Sequence, residues 1–241
     1  MDLAQEAAAR LGHPTLDAYM GHFLLGSTSP DARSLARRGR EEYHFAPLSF
    51  ESVGAGVAGL FNAHPRLRSA PDGGDPTRAF VAGYVSHLVL DEVWIVEMFR
   101  ACFGNPEIFE DEARGLVFDR AMQLELDRLA EPAMASALPL VAEATKAVGM
   151  GFIPSETLEE WRGFVTELIG KSFSWDRLRF MAGRIAGGDE THPAQRLADE
   201  FLEGIPGSLD GLFDYVSRDD LGRFRSRAVD SVTSAIGDYL S

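Results

Sequence analysis

The stretch Ala79-Phe80-Val81-Ala82-Gly83-Tyr84-Val85-Ser86-His87-Leu88-Val89-Leu90-Asp91-Glu92-Val93-Trp94 decides the fold. It is almost wholly apolar and long enough for a buried helix. Within it, His87 and Asp91 stand four residues apart, so on a helix both project from one face, about a turn from each other. Burying an unpaired carboxylate costs several kcal/mol, so Asp91 needs a partner. A metal ion, a buried cation or a register that lets both residues reach water would each supply one.

Working outward, helix is expected nearly everywhere. The spacing predicts helices over 3–10, over 16–25 with Thr15 as cap, and over 49–63, closed by His64-Pro65. Residues 34–42 read as a basic helical turn or a loop, and 69–76 as a surface loop. The central helix should begin at Thr77 as its cap and run to about Phe103, where Gly104-Asn105-Pro106 ends it. A further helical stretch follows over about 107–149, with breaks at Glu131-Pro132 and near Pro139. Later helices are expected from Ser155, before Ala186, and over 193–203, 209–216 and 219–240. No strand-like alternation of any length occurs. The fold class is therefore all-α, a multi-helix bundle in a single domain over 1–241.

Composition narrows the function. The chain has 241 residues and a net charge of −14, which speaks against non-specific binding to nucleic acid or to anionic membrane surfaces. Its one cysteine, Cys102, excludes an internal disulfide and a cysteine-based zinc site, and fits a reducing compartment. The start, Met1-Asp2-Leu3-Ala4-Gln5-Glu6, lacks the profile of a signal peptide. No uninterrupted apolar run reaches the length of a membrane span. A cytoplasmic protein without membrane insertion, acting on a small molecule, is the expectation.

Five of the six histidines lie in the first 87 residues. Three segments there matter together: Gly26-Ser27-Thr28-Ser29-Pro30-Asp31, then Arg40-Glu41-Glu42-Tyr43-His44-Phe45, then His87-Leu88-Val89-Leu90-Asp91. Two aspartates and two histidines form a mixed nitrogen and oxygen set suited to zinc, and also to iron, manganese or nickel. Helical proteins build metal sites in this way, from side chains that converge on a bundle core. His22, one turn before Gly26, is a further candidate ligand. So is Asp119, which shares a helical face with Gln123 and Asp127. The run Arg33, Arg37, Arg38, Arg40 lies between two of the ligands, and Arg33 and Arg40 are candidates for binding a phosphate.

In order and spacing, the three segments over roughly residues 20–100 resemble the zinc-dependent phospholipase C family, which is related to the single-strand-specific zinc nucleases. The resemblance implies an all-helical fold of that type. It also implies that Asp31, His44, His87 and Asp91 ligate one zinc, with Asp91 bridging to a second metal and Asp31 placed to act as general base. The expected activity is metal-dependent hydrolysis of a phosphoester or phosphodiester by activated water. This chain departs from the family at two places. It has no N-terminal Trp to ligate a metal, and no histidine between His87 and His192 to complete a further site. The alternatives are a non-catalytic helical metal-binding or scaffold protein with an incomplete cluster, and a metalloenzyme of other chemistry, for example at iron.

Overall fold

A computed structural model describes residues 1–69, 74–144 and 148–241. Helix makes up 75% of the described residues, and no strand occurs among them. By contacts it forms two compact units: one of Met1–Val93, Pro132–Lys171 and Arg225–Ser241, the other of Trp94–Glu131 and Ser172–Phe224.

The first unit is built on the helix Gly74–Trp94. From Ala79 to Ser86 every residue is buried, so this helix has no solvent face and no amphipathic period over that span. By its length, and by a mean hydropathy of 1.4 over its most apolar 18 residues, Gly74–Phe103 also meets the requirement for a membrane span, which narrows the expectation drawn from uninterrupted runs. With 72% of that 18-residue window buried inside the protein, it has the profile of a core helix, which passes the same test.

Two helices meet at this core with their backbones in contact. A methyl group placed on Gly83 would stand 1.9 Å from the carbonyl oxygen of Phe23, and one on Gly26 would stand 2.1 Å from that of Phe80. The helices Met20–Gly26 and Gly74–Trp94 can approach this closely only because neither carries a side chain at the crossing. Such short backbone contacts recur where helices cross at small residues. A second close approach joins the helix Ala55–Ala63 to the end of Arg40–His44: Cβ atoms on Gly56 and Gly59 would meet the carbonyls of His44 and Phe45 at 2.6 and 2.2 Å.

In the second unit, Trp94 gives way to a π-helical turn over Ile95–Phe103, whose last donor, Gly104 N–H, reaches back five residues to the Phe99 carbonyl at 2.7 Å. The Trp94 indole N–H donates to Asp119 at 2.9 Å and its ring meets Phe224 edge-on. Phe109 stacks on Tyr215 and meets Phe118 edge-on.

Several boundaries differ from those read in the sequence, each for a local reason. The first cap is His13, whose Nδ1 accepts from Thr15 N–H, with Pro14 opening the helix Pro14–Ala18; Tyr19 then separates it from Met20–Gly26. Residues 45–54 are not helical, and that helix starts only at Ala55. Thr77 lies inside the central helix, its hydroxyl accepting from Gly149 N–H at 3.0 Å. Part of the expected loop over 69–76 lies outside the described residues, and Gly74 is already helical. Glu112–Glu143 runs unbroken through Pro132 and Pro139. The helix Ser155–Gly170 starts without a side-chain cap.

Gly83→Ala should lower stability by about 1–3 kcal/mol or more, because the new methyl group meets backbone and not a movable side chain. Gly163, inside Ser155–Gly170 with open space around it, is the control: Gly163→Ala should raise stability by up to about 1 kcal/mol. Denaturant melts of the three proteins compare the two effects, and a neutral Gly83→Ala would contradict the tight crossing.

Candidate metal centre

The helix Met20–Gly26 ends in a row of hydroxyl residues that satisfy its last carbonyls. Ser27 Oγ donates to the Leu24 carbonyl at 2.8 Å, while Thr28 Oγ1 and Ser29 Oγ both donate to that of Leu25, at 2.9 and 2.8 Å. The Trp161 indole N–H in turn donates to Thr28 Oγ1 at 3.0 Å, tying the turn to the helix Ser155–Gly170. Ser27 thus has a fixed carbonyl, and His87 Nδ1 lies 3.0 Å from it. A carbonyl only accepts, so Nδ1 carries the proton and His87 Nε2 carries the lone pair. A histidine whose far nitrogen is held by a backbone carbonyl is the usual form of a metal-ligating imidazole.

His44 closes the short helix Arg40–His44, and the next residue, Phe45, stops it with a left-handed φ of 57°. Gly39 N–H donates to Glu42 at 3.0 Å at the other end. Behind the ring, the Tyr84 hydroxyl donates to the Tyr43 carbonyl at 2.5 Å, and Gly56 lies against the carbonyl of His44 itself. The placement of Gly56 comes from Glu92, whose buried carboxylate accepts from the N–H groups of Gly54 and Gly56. Burial pushes the Glu92 carboxyl up, and those amides bring it part of the way back.

His44 is only 2% exposed, and burial first, then the neighbouring His87, Arg40 and Arg33, holds its ring down to about 2. The Arg40 carbonyl, a turn earlier, acts weakly in the other direction. A neutral imidazole is the form that ligates a metal. His44 Nδ1 is buried and makes no well-formed hydrogen bond.

The two rings meet edge-on, with His44 Nε2 3.3 Å from His87 Nε2. Asp31, in the 3₁₀ turn Ser29–Ala32, places Oδ1 3.9 Å from His44 Nε2 with its side chain 55% exposed. Asp31, His44 and His87 thus form a group whose ligand atoms all lie within 4.8 Å of one another, which can hold a metal ion. The donor set fits such an ion. Two nitrogens each about 2.05 Å from a tetrahedral ion stand about 3.3 Å apart. The 3.3 Å between the two Nε2 atoms matches that value.

The other expected ligands have other partners. Asp91 is ion-paired to Arg40 and is not brought into the group of three. His22 is half-buried beside Tyr19, edge to face, and burial lowers its pKa. Asp119 belongs to the second unit and spends its carboxylate on Trp94, on Gln123 at 3.0 Å and on Arg120 at 3.5 Å, while Asp127 is exposed. Arg33 and Arg40 are half-buried near the histidines.

Glu92 went unnoticed in the sequence although it carries the same signal as Asp91, a carboxylate inside an apolar helix. Ser27 acts through its carbonyl, which no side-chain pattern reports. No family model, no characterised protein and no solved structure matches this chain.

Replacing Glu92 with Gln leaves one of the two loop amides facing another donor. Glu92→Gln should destabilise the protein by about 1–3 kcal/mol, read in denaturant melts; an unchanged midpoint would remove its role. His44 also sets a pH dependence in metal-free protein. Its folded pKa is depressed, so its contribution is full above the unfolded value of 6.5 and declines as pH falls toward about 2, because only the unfolded chain takes up the proton. Between pH 7 and pH 5 the wild type should lose about 2 kcal/mol more than His44→Asn. Equal losses in the two proteins would show that His44 is protonated in the folded state.

Proposed function

We propose that the chain is a metal-dependent hydrolase of phosphoesters or phosphodiesters, with Asp31, His44 and His87 as ligands and zinc as the first choice of metal. The observation that carries this reading is the 3.3 Å approach of the two histidine Nε2 atoms, with His87 fixed by the Ser27 carbonyl and Asp31 beside them. The order of the three sequence segments, similar to that of the zinc-dependent phospholipase C family, supports the same reading and the same fold type.

When bound, the metal supplies Lewis acidity and brings the pKa of a coordinated water toward neutrality. The chain's own residues supply the rest. His87 offers Nε2 because Ser27 holds the proton on Nδ1, and His44 offers a neutral ring because burial keeps it uncharged. Asp31 is the exposed member of the group, so it can take up a proton and pass it to solvent, as a general base must. Three protein ligands with a position left open is the pattern of catalytic zinc, whereas structural zinc is closed by four. That count favours the hydrolase over a purely structural metal site.

Elemental analysis of protein purified without chelator should find about one transition metal per chain, and His87→Ala should lose it. The loaded protein should turn over a chromogenic phosphoester, and adding a chelator should stop it. Protein that holds no metal at stoichiometric levels would sink the reading, and metal without turnover would leave a binding protein.

A further inference from the structure

Four buried side-chain atoms among the described residues lack a hydrogen-bond partner: Arg33 Nε, Arg40 Nε, His44 Nδ1 and Thr166 Oγ1. Three of the four gather at one place. Arg33 lies two residues after Asp31, and Arg40 opens the helix that His44 closes. Arg40 also reaches Asp91, one turn beyond His87 on the central helix. Arg33–Ala36 and Arg40–His44 pack against each other and against the turn Ser29–Ala32 that carries Asp31, and both guanidinium charges lower the His44 pKa.

Buried N–H groups nearly always find an acceptor in native proteins, so two orphaned guanidinium donors on neighbouring elements call for one. Asp91 takes a terminal nitrogen of Arg40 and leaves its Nε–H. Asp31 and Asp91 make the immediate neighbourhood acidic. Against this, the run 33–40 carries four arginines and no carboxylate in a chain of net charge −14. Within that run Arg38 is paired with Glu42 and Arg40 with Asp91, so what is left without an acceptor is the Nε–H of Arg33 and of Arg40.

We infer that Arg33 and Arg40 form an oxyanion subsite, each donating its Nε–H to a different oxygen of a tetrahedral group of the phosphoryl type. Two donors arriving from separate elements suit a tetrahedral anion, whereas a planar carboxylate is served by the two-pronged fork of one arginine. The inference deepens the proposed function by naming how the anionic part of a substrate is held. It does not require the metal: the donors are present in the polypeptide alone.

The test is calorimetric titration of inorganic phosphate into the full chain after chelator treatment, for the wild type and for Asp31→Asn, which removes the facing negative charge. Saturable one-to-one binding is expected in Asp31→Asn and weaker binding in the wild type. In the Asp31→Asn background, Arg33→Lys and Arg40→Lys keep the charge but lose the directed Nε–H, and each should weaken phosphate at least tenfold. Adding His87→Ala should leave phosphate binding unchanged, and acetate should bind at least tenfold more weakly than phosphate. Absence of phosphate binding in both metal-free proteins, indifference to the two arginine changes, or equal binding of acetate would overturn the subsite. Phosphate binding that appears only after zinc is added would also overturn it, while leaving the metal reading intact. Phosphate binding in a chain that takes up no zinc would do the reverse.

Discussion

The candidate site depends on the backbone contact between Met20–Gly26 and Gly74–Trp94. At Gly83 the central helix comes so near the Phe23 carbonyl that no side chain fits between. His87 is one turn further along the same face of that helix, and Ser27 is one residue beyond Gly26. The crossing therefore determines that the Ser27 carbonyl lies at His87 Nδ1, and through that bond which nitrogen of His87 keeps a lone pair. Moving the helices apart by one methyl group would lengthen a 3.0 Å hydrogen bond beyond useful range. Packing and ligand chemistry here are one constraint.

A second contact sets the other histidine in the same way. Gly56 and Gly59 let Ala55–Ala63 lie against the carbonyls of His44 and Phe45, and Glu92 holds Gly56 from the central helix. Tyr84, three residues before His87, fixes the carbonyl of Tyr43. The central helix thus positions His87 directly and His44 through two intermediaries. Burial then does electrostatic work. It removes water from His44, keeps the ring neutral, and leaves the lone pair that a cation requires.

Much of this was legible in the sequence. The all-α class followed from helical periodicity and the lack of alternation, and the central helix followed from its apolar run. Of the three members of the metal group, His87 stood out because a histidine inside an apolar helix is costly. Asp31, in a turn, and His44, at the end of a charged run, stood out only through the mixed donor set of the three segments and their resemblance in order to the zinc-dependent phospholipase C family. Helix ends were less legible. The π-helical turn after Trp94 and the late start at Ala55 rest on tertiary packing, which local propensity does not encode. The unbroken passage through Pro132 and Pro139 shows the same tertiary override, since proline in isolation argues for a break.

The least legible matter was which carboxylate goes where. Asp91 and Glu92 are neighbours in one apolar helix, and spacing from His87 favours Asp91 as a ligand. Spacing alone cannot weigh a rival partner. Arg40, 51 residues earlier, arrives at Asp91 through the fold of the short helix that also carries His44. Glu92 points a different way and meets two backbone amides. Each carboxylate is thus satisfied by a group whose approach depends on the folded chain. The metal group is left with Asp31, whose side chain meets His44 and is the member most open to water. The competition for the two carboxylates of the central helix thus leaves Asp31 as the carboxylate of the candidate group.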